Sequence, residues 1–273
     1  MRFGQIMHEL SEFLKFYINA VNLHSIHSPS VFRILSSLER DQEMPELADL
    51  NLWWDSLKGD STATSGDQYG AGTRISRPTI SSAARISSSS DKKALFIARL
   101  AKALDSHSIL ELGTNLGKTS AMISLLNPSS KIHTVEGNEL IARKAGSLFK
   151  YLKCFNIRQY IMRFEDFLDN YKPTVSGSDL IFLDGDHSYQ KTKDYIRILL
   201  EHPAHKKAIL IDDIHWSSGM TKAWKEICAE LEHGISIDFF KCGLILIDPA
   251  FAERQHIQYI SKKYKFWSWG LFP

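Results

Sequence analysis

Apolar and polar positions follow two rhythms along this chain, and the change falls near residue 91. Beyond it, short apolar runs that predict β-strands alternate with patterns in which apolar residues recur at helical spacing. The predicted strands are 108–112, 131–136, 157–164, 179–184, 208–212, 235–241 and 243–248. Strand–helix units joined by short loops build parallel sheets with helices on both faces. The pattern therefore predicts a doubly wound α/β fold with a mostly parallel seven-stranded sheet. The last two strands, which no helix separates, predict one antiparallel edge strand.

The first 90 residues lack this alternation. Helical periodicity runs over residues 5–40 and is broken at Pro29. Residues 55–79 are rich in Gly, Ser and Thr, and a loop of that length is usually either mobile or functional. We therefore divide the chain into an N-terminal helical segment, residues 1–90, and an α/β domain, residues 91–273.

The composition is that of an ordinary globular protein and excludes several classes. Apolar residues make up 44% and charged residues 23%, which argues against a largely disordered chain. The 33 lysines and arginines against 31 aspartates and glutamates leave a net charge of +2, so nothing indicates nucleic acid as a partner. Three widely spaced cysteines predict neither a disulfide framework nor a zinc site. No apolar stretch reaches the length of a membrane span, and we expect a cytoplasmic protein.

The turn after the first predicted strand, ELGTNLGKTS at 111–120, admits three interpretations. A dinucleotide-binding turn requires GxGxxG, which fails because Asn115 stands where the second glycine belongs. A phosphate-binding P-loop, GxxxxGK[ST], matches at GKT but requires a glycine where Leu112 stands. Glu111 would also place a carboxylate beside the bound phosphates.

The third interpretation is an ExGxxxG turn, which Glu111, Gly113 and Gly117 match. This turn resembles the cofactor-binding turn of S-adenosylmethionine-dependent methyltransferases. Their cofactor carries a sulfonium cation and an amino-acid end but no phosphate, so a neighbouring carboxylate attracts its cationic end. Thr114, inside the turn, completes this part of the predicted cofactor site.

Two further acids extend the predicted cofactor site. Glu136 ends the second strand, where doubly wound folds place an acid on the ribose hydroxyls; the alternative is an exposed acid at a strand end. Asp166 follows the third strand and is predicted to accept a hydrogen bond from the adenine amine. Acids are also common in the first turn of a helix, whatever the function.

Carboxylates and histidines follow the fourth and fifth predicted strands. They are Asp184, Asp186 and His187 after one strand and Asp212, Asp213 and His215 after the other. In an open parallel sheet, ligands bind beyond the carboxyl ends of the strands, so both groups are expected to face one crevice. Oxygen ligands of this kind suit Mg²⁺ or Ca²⁺, and a bound ion would lower the pKa of a substrate hydroxyl. The alternative is that these acids cap helices and bond to loop amides.

The combination of ExGxxxG, DGDHSY (184–189) and IDD (211–213) resembles a known family over residues 92–250. The family is the class I S-adenosylmethionine-dependent O-methyltransferases, in the group related to catechol and caffeoyl-coenzyme A O-methyltransferases. The resemblance implies a Rossmann-like fold. It also implies Mg²⁺ ligands at Asp184, Asp212 and Asp213, although the relatives have Asn in the last place.

The same resemblance assigns catalytic residues and a lid. His187 stands where the relatives have a lysine general base, and the pKa of imidazole near neutrality suits proton abstraction. Asp184, which also ends the fourth strand, is the second predicted catalytic residue and lies in the cofactor site too. Related enzymes cover cofactor and acceptor with an N-terminal segment, so the glycine-rich QYGAGTR (68–74) is a predicted lid.

The acceptor is defined only by class. Arg74, Arg77 and Arg85 either meet an anionic acceptor or form a solvated basic face. Trp216 and the aromatic residues at 266–272 either line an acceptor pocket or pack in the core or in a homodimer. We expect methyl transfer to an oxygen of a small molecule; nitrogen and carbon acceptors stay open. Two further functions also stay open, a non-catalytic S-adenosylmethionine-binding protein of the same fold and a P-loop phosphotransferase.

Overall fold

The described part of the chain contains eight strands. The computed structural model describes residues 3–40, 47–64, 79–87, 90–201, 206–251 and 253–265. The eight strands form a mostly parallel sheet, which confirms the predicted α/β fold class and adds one strand to the predicted seven. The chain divides into two compact units, one of residues 41–185 and the other of residues 1–40 and 186–273.

Four parallel strands form the sheet of the unit 41–185, in the order β3-β2-β1-β4. They are β1 (Ser108–Leu112), β2 (Lys131–Glu136), β3 (Ile157–Ile161) and β4 (Leu180–Leu183). Leu112 is in register with Val135 on one side and with Leu183 on the other. The carboxyl ends of β1, β2 and β4 therefore reach one edge of the sheet. All of β4 is buried, as its continuous apolar run predicts.

Helices flank these strands in the chain. They are α3 (Ala48–Leu57), α4 (Ile80–Ser82), a π-helical turn (Ala83–Ser87), α5 (Asp91–Ala103), α6 (Lys118–Leu126), α7 (Glu139–Tyr151), α8 (Phe164–Asn170) and α9 (Lys172–Ser176). The third strand ends at Ile161 and not at residue 164 as predicted, because α8 begins at Phe164. The predicted loop around Pro173 forms α9, which tolerates this proline in its first turn because no N–H is needed there.

The other unit contains the strand order β5-β7-β6-β8. They are β5 (Lys207–Asp212), β6 (Gly234–Asp238), β7 (Cys242–Ile247) and β8 (Arg254–Gln258). The predicted antiparallel edge strand corresponds to β7, which pairs antiparallel with both β5 and β6 and so lies one strand inside the pair β6-β8 at this end of the sheet. The additional strand is β8, which pairs parallel with β6. Its sequence, RQHIQ, is mostly exposed and therefore lacks the apolar pattern of a buried strand.

Four helices and two short 3₁₀ turns complete this unit. They are α1 (Phe3–Asn19), the turn Leu23–Ser25, α2 (Pro29–Glu39), α10 (Tyr189–Leu200), α11 (Ser218–Glu230) and the turn Lys262–Tyr264. Pro29, predicted as a break, is the first residue of α2. Within the described residues, every helix is too short or too polar to cross a membrane.

The predicted N-terminal segment contributes to both units, since residues 1–40 belong to one and residues 41–90 to the other. The proposed lid residues 68–74, with Arg74 and Arg77, and the aromatic residues 266–272 lie outside the described residues.

Candidate active site

The turn after β1 takes a backbone conformation that only glycine adopts freely. Gly113 and Gly117 have φ values of +116° and +84°. A Cβ atom on Gly113 would lie 1.9 Å from the carbonyl oxygen of Asp184, and one on Gly117 would lie 2.8 Å from the Phe149 ring. Both glycines of the ExGxxxG pattern are therefore required by the packing of the turn itself.

Glu111 lies beneath this turn, fully buried. Its Oε2 accepts hydrogen bonds from the hydroxyls of Ser120 and Thr134, whereas its buried Oε1 has no hydrogen-bond partner among the described residues. Burial is the main cause that raises the pKa of Glu111 to about 8. The hydrogen bonds from the two hydroxyls lower this pKa, and the negative charges of Asp184 and Glu136 raise it further. Glu111 therefore keeps its proton at pH 7.

Thr114 turns its side chain into the interior. The residue is buried, and its hydroxyl lies 2.6 Å from that of Thr134. Thr134 in turn donates to Glu111 at 2.7 Å. The side chain of Thr114 thus belongs to a buried hydroxyl network under the turn, and only its backbone is available to a ligand.

Glu136 ends β2 beside the same turn. Its carboxylate accepts the backbone N–H of Asn115 at 2.9 Å and that of Asn138 at 2.8 Å. Burial raises the pKa of Glu136, while these backbone donors lower it. A carboxylate offers about four acceptor positions, so Glu136 can accept further hydrogen bonds. Asp166 lies in the first turn of α8 and is exposed.

Asp184 follows β4 and faces Lys93, which belongs to none of the sequence motifs. Its backbone N–H donates to the carbonyl of Leu112 at 2.9 Å, and Lys93 Nζ lies 3.2 Å from its Oδ2. Lys93 is the third residue of α5, and its amide is capped by the hydroxyl of Ser90. This contact joins residues 91 positions apart and belongs to no motif, so spacing gave no signal for it.

Lys118, the lysine of the P-loop alternative, is occupied elsewhere. Its ammonium lies 2.8 Å from Asp91 Oδ1 and 3.9 Å from the centre of the Trp54 ring. The residue is only 8% exposed. A lysine that binds phosphate must reach the ligand as a free charge, so this environment opposes the P-loop interpretation.

Part of the N-terminal segment packs beside the glycine turn. Leu116, in the turn, shares a buried apolar cluster with Trp54, Leu57, Ile80, Ala83 and Ala84. Asp60 adds an ion pair with Lys144 at 2.6 Å. The hydrogen bond from Lys144, with others from Thr62, lowers the pKa of Asp60 to about 2. Helix α3, Asp60, α4 and the start of the π-helical turn are thus packed against this end of the unit.

The other unit holds the remaining predicted catalytic and metal residues. Asp212 ends β5 and is buried, and His187 lies in the loop before α10, partly exposed. Each offers one ligand atom, and these two atoms lie within 4.8 Å of each other. Asp213 has a left-handed backbone, with φ of +52°, and its N–H donates to the carbonyl of Lys241.

His215 has a buried set of partners. Its Nε2 lies 2.9 Å from Asp238 Oδ2 and its Nδ1 lies 3.2 Å from the hydroxyl of Thr221. The same hydroxyl lies 3.0 Å from His8 Nε2 of α1. His215 is 4% exposed, and these bonds let a polar side chain lie in the interior, where it supports the loop after β5.

The remaining polar candidates lie in local contacts. Asp186 forms an ion pair with Lys191 at 2.5 Å. Exposed Arg85 donates to the carbonyl of Lys58 at 3.1 Å. The carbonyl of Trp216, a partly buried residue, accepts a hydrogen bond from Gln5 at 3.1 Å.

Comparisons with known proteins agree with this geometry. The family described as "Methyltransferase domain" matches residues 110–214. Methyltransferase PaMTH1 from Podospora anserina, solved with SAH (S-adenosylhomocysteine), aligns with 82% of this chain and 96% of its own at 15% identity, with a TM-score of 0.55. An O-methyltransferase from Bacillus cereus in complex with SAH aligns with 59% of this chain and 82% of its own, at 17% identity and a TM-score of 0.50. A comparison with curated protein sequences finds no match.

The matched family span runs from within β1 to just beyond β5, so it contains the glycine turn, Glu136, Asp184 and Asp212. The structural likenesses show the fold, which is that of methyltransferases. These findings confirm the resemblance drawn from the sequence motifs over residues 110–214, which match a methyltransferase domain, and the chain has the fold of a methyltransferase.

Proposed function

We propose that this methyltransferase acts on a hydroxyl oxygen of a small molecule. The observation that carries the proposal is the group of Gly113, Gly117 and Glu136 at the carboxyl ends of parallel strands, above the buried Glu111. Ligands of open α/β sheets bind at that edge. The Bacillus cereus structure, an O-methyltransferase in complex with SAH, supports oxygen as the acceptor at the level of the shared fold.

The residues present fit S-adenosylmethionine. When bound, it supplies an activated methyl group on a positively charged sulfur. Glu136 would accept from the ribose hydroxyls while keeping the backbone donors that fix its position. Glu111 Oε1 is a buried polar atom for which the described residues provide no partner, so it is the atom of Glu111 left for a polar group of the ligand. Thr114 would contribute backbone only, and exposed Asp166 stays the proposed partner of the adenine amine.

His187 is the proposed general base. A partly exposed imidazole can take the proton of an acceptor hydroxyl and release it to water, because its ordinary pKa lies near neutrality. The buried carboxylate of Asp212, with a ligand atom within 4.8 Å of one on His187, stabilises the imidazolium that forms. Asp184 is proposed to orient the reacting groups, with its own charge balanced by Lys93.

A divalent cation, Mg²⁺ or Ca²⁺, is proposed as an aid to deprotonation, with Asp184, Asp212 and Asp213 as ligands. Carboxylate oxygens suit these ions, and a cation held there would lower the pKa of the acceptor hydroxyl. The Lys93 ammonium, 3.2 Å from Asp184, competes for one of these ligands. The positive charge of Lys93 thus already neutralises part of the carboxylate charge that a metal ion would neutralise.

Replacing Glu136 with alanine is expected to weaken S-adenosylhomocysteine binding by about 100-fold, because the substitution removes charged hydrogen bonds to the ligand. Isothermal titration calorimetry measures the affinity, and thermal unfolding shows whether the variant is folded. Glu139→Ala is the matched control, since Glu139 is exposed and pairs with Arg143 in the next turn of its own helix. Unchanged affinity in a folded Glu136→Ala protein would contradict the cofactor assignment. ATP binding that depends on Lys118 would instead favour the P-loop alternative.

Removal of divalent cations with a chelator is expected to lower turnover at least about tenfold, and added Mg²⁺ is expected to restore it. Turnover is measured by methyl transfer to a panel of small hydroxyl compounds. Affinity for S-adenosylhomocysteine should change little, because Asp184 is the single residue of the proposed cofactor site that is also a proposed metal ligand. Full turnover after thorough chelation would remove the cation from the mechanism and leave the methyl-transfer proposal intact. Tight cofactor binding without turnover on any acceptor would favour the non-catalytic alternative.

A further inference from the structure

Helix α1 presents its apolar side to solvent. Seven large apolar residues of this helix are more than a third exposed, with Phe3 at 79% and Ile18 at 67%. They are Phe3, Ile6, Met7, Leu10, Phe13, Leu14 and Ile18, which we call the α1 stripe. Single exposed apolar residues are ordinary, but a continuous set along one helix marks an interaction site.

The opposite, inward side of α1 is mostly polar. Gln5 donates to the carbonyl of Trp216 at 3.1 Å, and His8 lies 3.0 Å from the hydroxyl of Thr221. Glu12, buried, forms an ion pair with Lys225 at 3.0 Å. These polar contacts anchor the helix together with buried Phe16, which packs against Phe240. Phe13, at the edge of the α1 stripe, also contacts the Phe240 ring. The mostly polar inward side is the reverse of that of the usual surface helix, which buries its apolar side.

The spacing of the stripe indicates that its partner is another helix. Phe3, Ile6, Leu10 and Phe13 follow one another at intervals of three, four and three residues, the pattern of a helix–helix seam. Met7 and Leu14 flank this seam at one edge. Side chains at such positions interlock with those of a facing helix of similar pattern.

The area of the stripe matches what a dimer requires. Its seven residues expose together roughly 700 Å², if a large apolar side chain offers about 200 Å². The largest apolar patch of a monomer is usually about 300–600 Å², while a stable interface buries about 800 Å² per partner. A second copy of the same stripe would cover nearly all of it.

We propose that two copies of this chain associate through the α1 stripe, in a two-fold symmetric homodimer. A two-fold interface brings the same patch of both copies together, so a self-complementary apolar stripe meets its requirement. The charges of α1 favour this over a lipid surface. Helix α1 carries two carboxylates, Glu9 and Glu12, against one lysine, Lys15, which is paired with Glu12 at 2.5 Å. Helices that bind membranes instead carry an excess of Lys and Arg.

The double variant Ile6→Glu, Leu10→Glu tests the interface. It places four carboxylates in the proposed dimer, so the dissociation constant should rise at least about 100-fold. Sedimentation velocity over a concentration series measures it. Leu52→Glu is the matched control, because Leu52 is 65% exposed on α3 and lies outside the stripe; its dimer should be as stable as the wild type. Circular dichroism checks that α1 and the rest of the chain stay folded.

Cross-linking provides a second measurement that does not depend on charge. Leu10 lies near the middle of the stripe, so a two-fold interface centred there brings the two copies of this residue together. Leu10→Cys should form a disulfide-linked dimer under mild oxidation, and Leu52→Cys should not. A monomeric wild-type protein at all concentrations would overturn the proposal. Binding of monomers to vesicles with phosphatidylserine, without dimers, would overturn it in favour of a lipid surface.

Discussion

Gly113→Ala is expected to destabilise the protein by about 4 kcal/mol or more, a loss that few single substitutions cause. The added methyl group would lie 1.9 Å from the carbonyl oxygen of Asp184, and φ at this position is +116°. Neither a side-chain rotation nor a small shift relieves both problems, since the obstructing atom belongs to the backbone after β4. Urea unfolding followed by circular dichroism measures the free energy of unfolding.

Gly219→Ala is the matched control for this prediction. A Cβ atom on Gly219 would lie 3.5 Å from its nearest neighbour, in ordinary van der Waals contact, and the residue is in the first turn of α11. Its alanine variant should differ from the wild type by no more than about 1 kcal/mol. A Gly113→Ala protein as stable as the Gly219→Ala protein would show that the turn after β1 does not have the described geometry.

Glu111→Gln is expected to change how stability depends on pH. The pKa of Glu111 is about 8 in the folded protein, against 4.5 for an ordinary glutamate. Between these values the unfolded chain has released a proton that the folded protein keeps. The free energy of unfolding therefore falls as pH rises through this range, by at most about 4 kcal/mol between pH 5 and 8. A glutamine amide is neutral at every pH, so this contribution disappears in the Glu111→Gln variant.

The measurement is the difference in unfolding free energy between variant and wild type at pH 5, 6, 7 and 8. A lost or unfavourable hydrogen bond of the amide shifts this difference by the same amount at each pH. The protonated Glu111 of the wild type makes the wild-type protein lose stability as pH rises, and the variant does not share this loss. The variant therefore becomes more stable relative to the wild type as pH rises. Glu139→Gln, at an exposed position, should show no such trend. A flat difference for Glu111→Gln would mean that the buried carboxyl is already ionised at pH 5.

The parts of the fold that are buried on both faces could be predicted from sequence. A continuous apolar run such as β4 has only one favourable environment, the middle of a parallel sheet. The glycine turn could be recognised for a similar reason, since Gly113 and Gly117 are required by local backbone geometry. Features that depend on the local backbone can be recognised from neighbouring residues, and the ExGxxxG motif that indicated the methyltransferase family is one of them.

The contacts between distant parts of the chain left no such signal. The strand β8 forms because β6 offers a free edge for pairing, although its own residues are polar. Lys93 reaches Asp184 because of the position of α5 in the fold. Lysines are common on helix surfaces, so the sequence does not distinguish this one. The amphipathic pattern of α1 predicted a helix correctly, but periodicity does not say which side faces the protein. These features are decided by tertiary placement, which a single sequence does not record.

The hydroxyl of Thr221 has one proton and two histidine neighbours, and this fixes how protons are arranged between α1 and the sheet. The Nε2 atom of His215 donates to the Asp238 carboxylate, so in the neutral ring Nδ1 must accept. Thr221 then gives its proton to His215 and can only accept from His8. The protonated nitrogen of His8 is therefore Nε2. While the His215 ring is neutral, the buried carboxylate of Asp238 thus determines, through His215 and Thr221, which nitrogen of His8 on the first helix carries the proton.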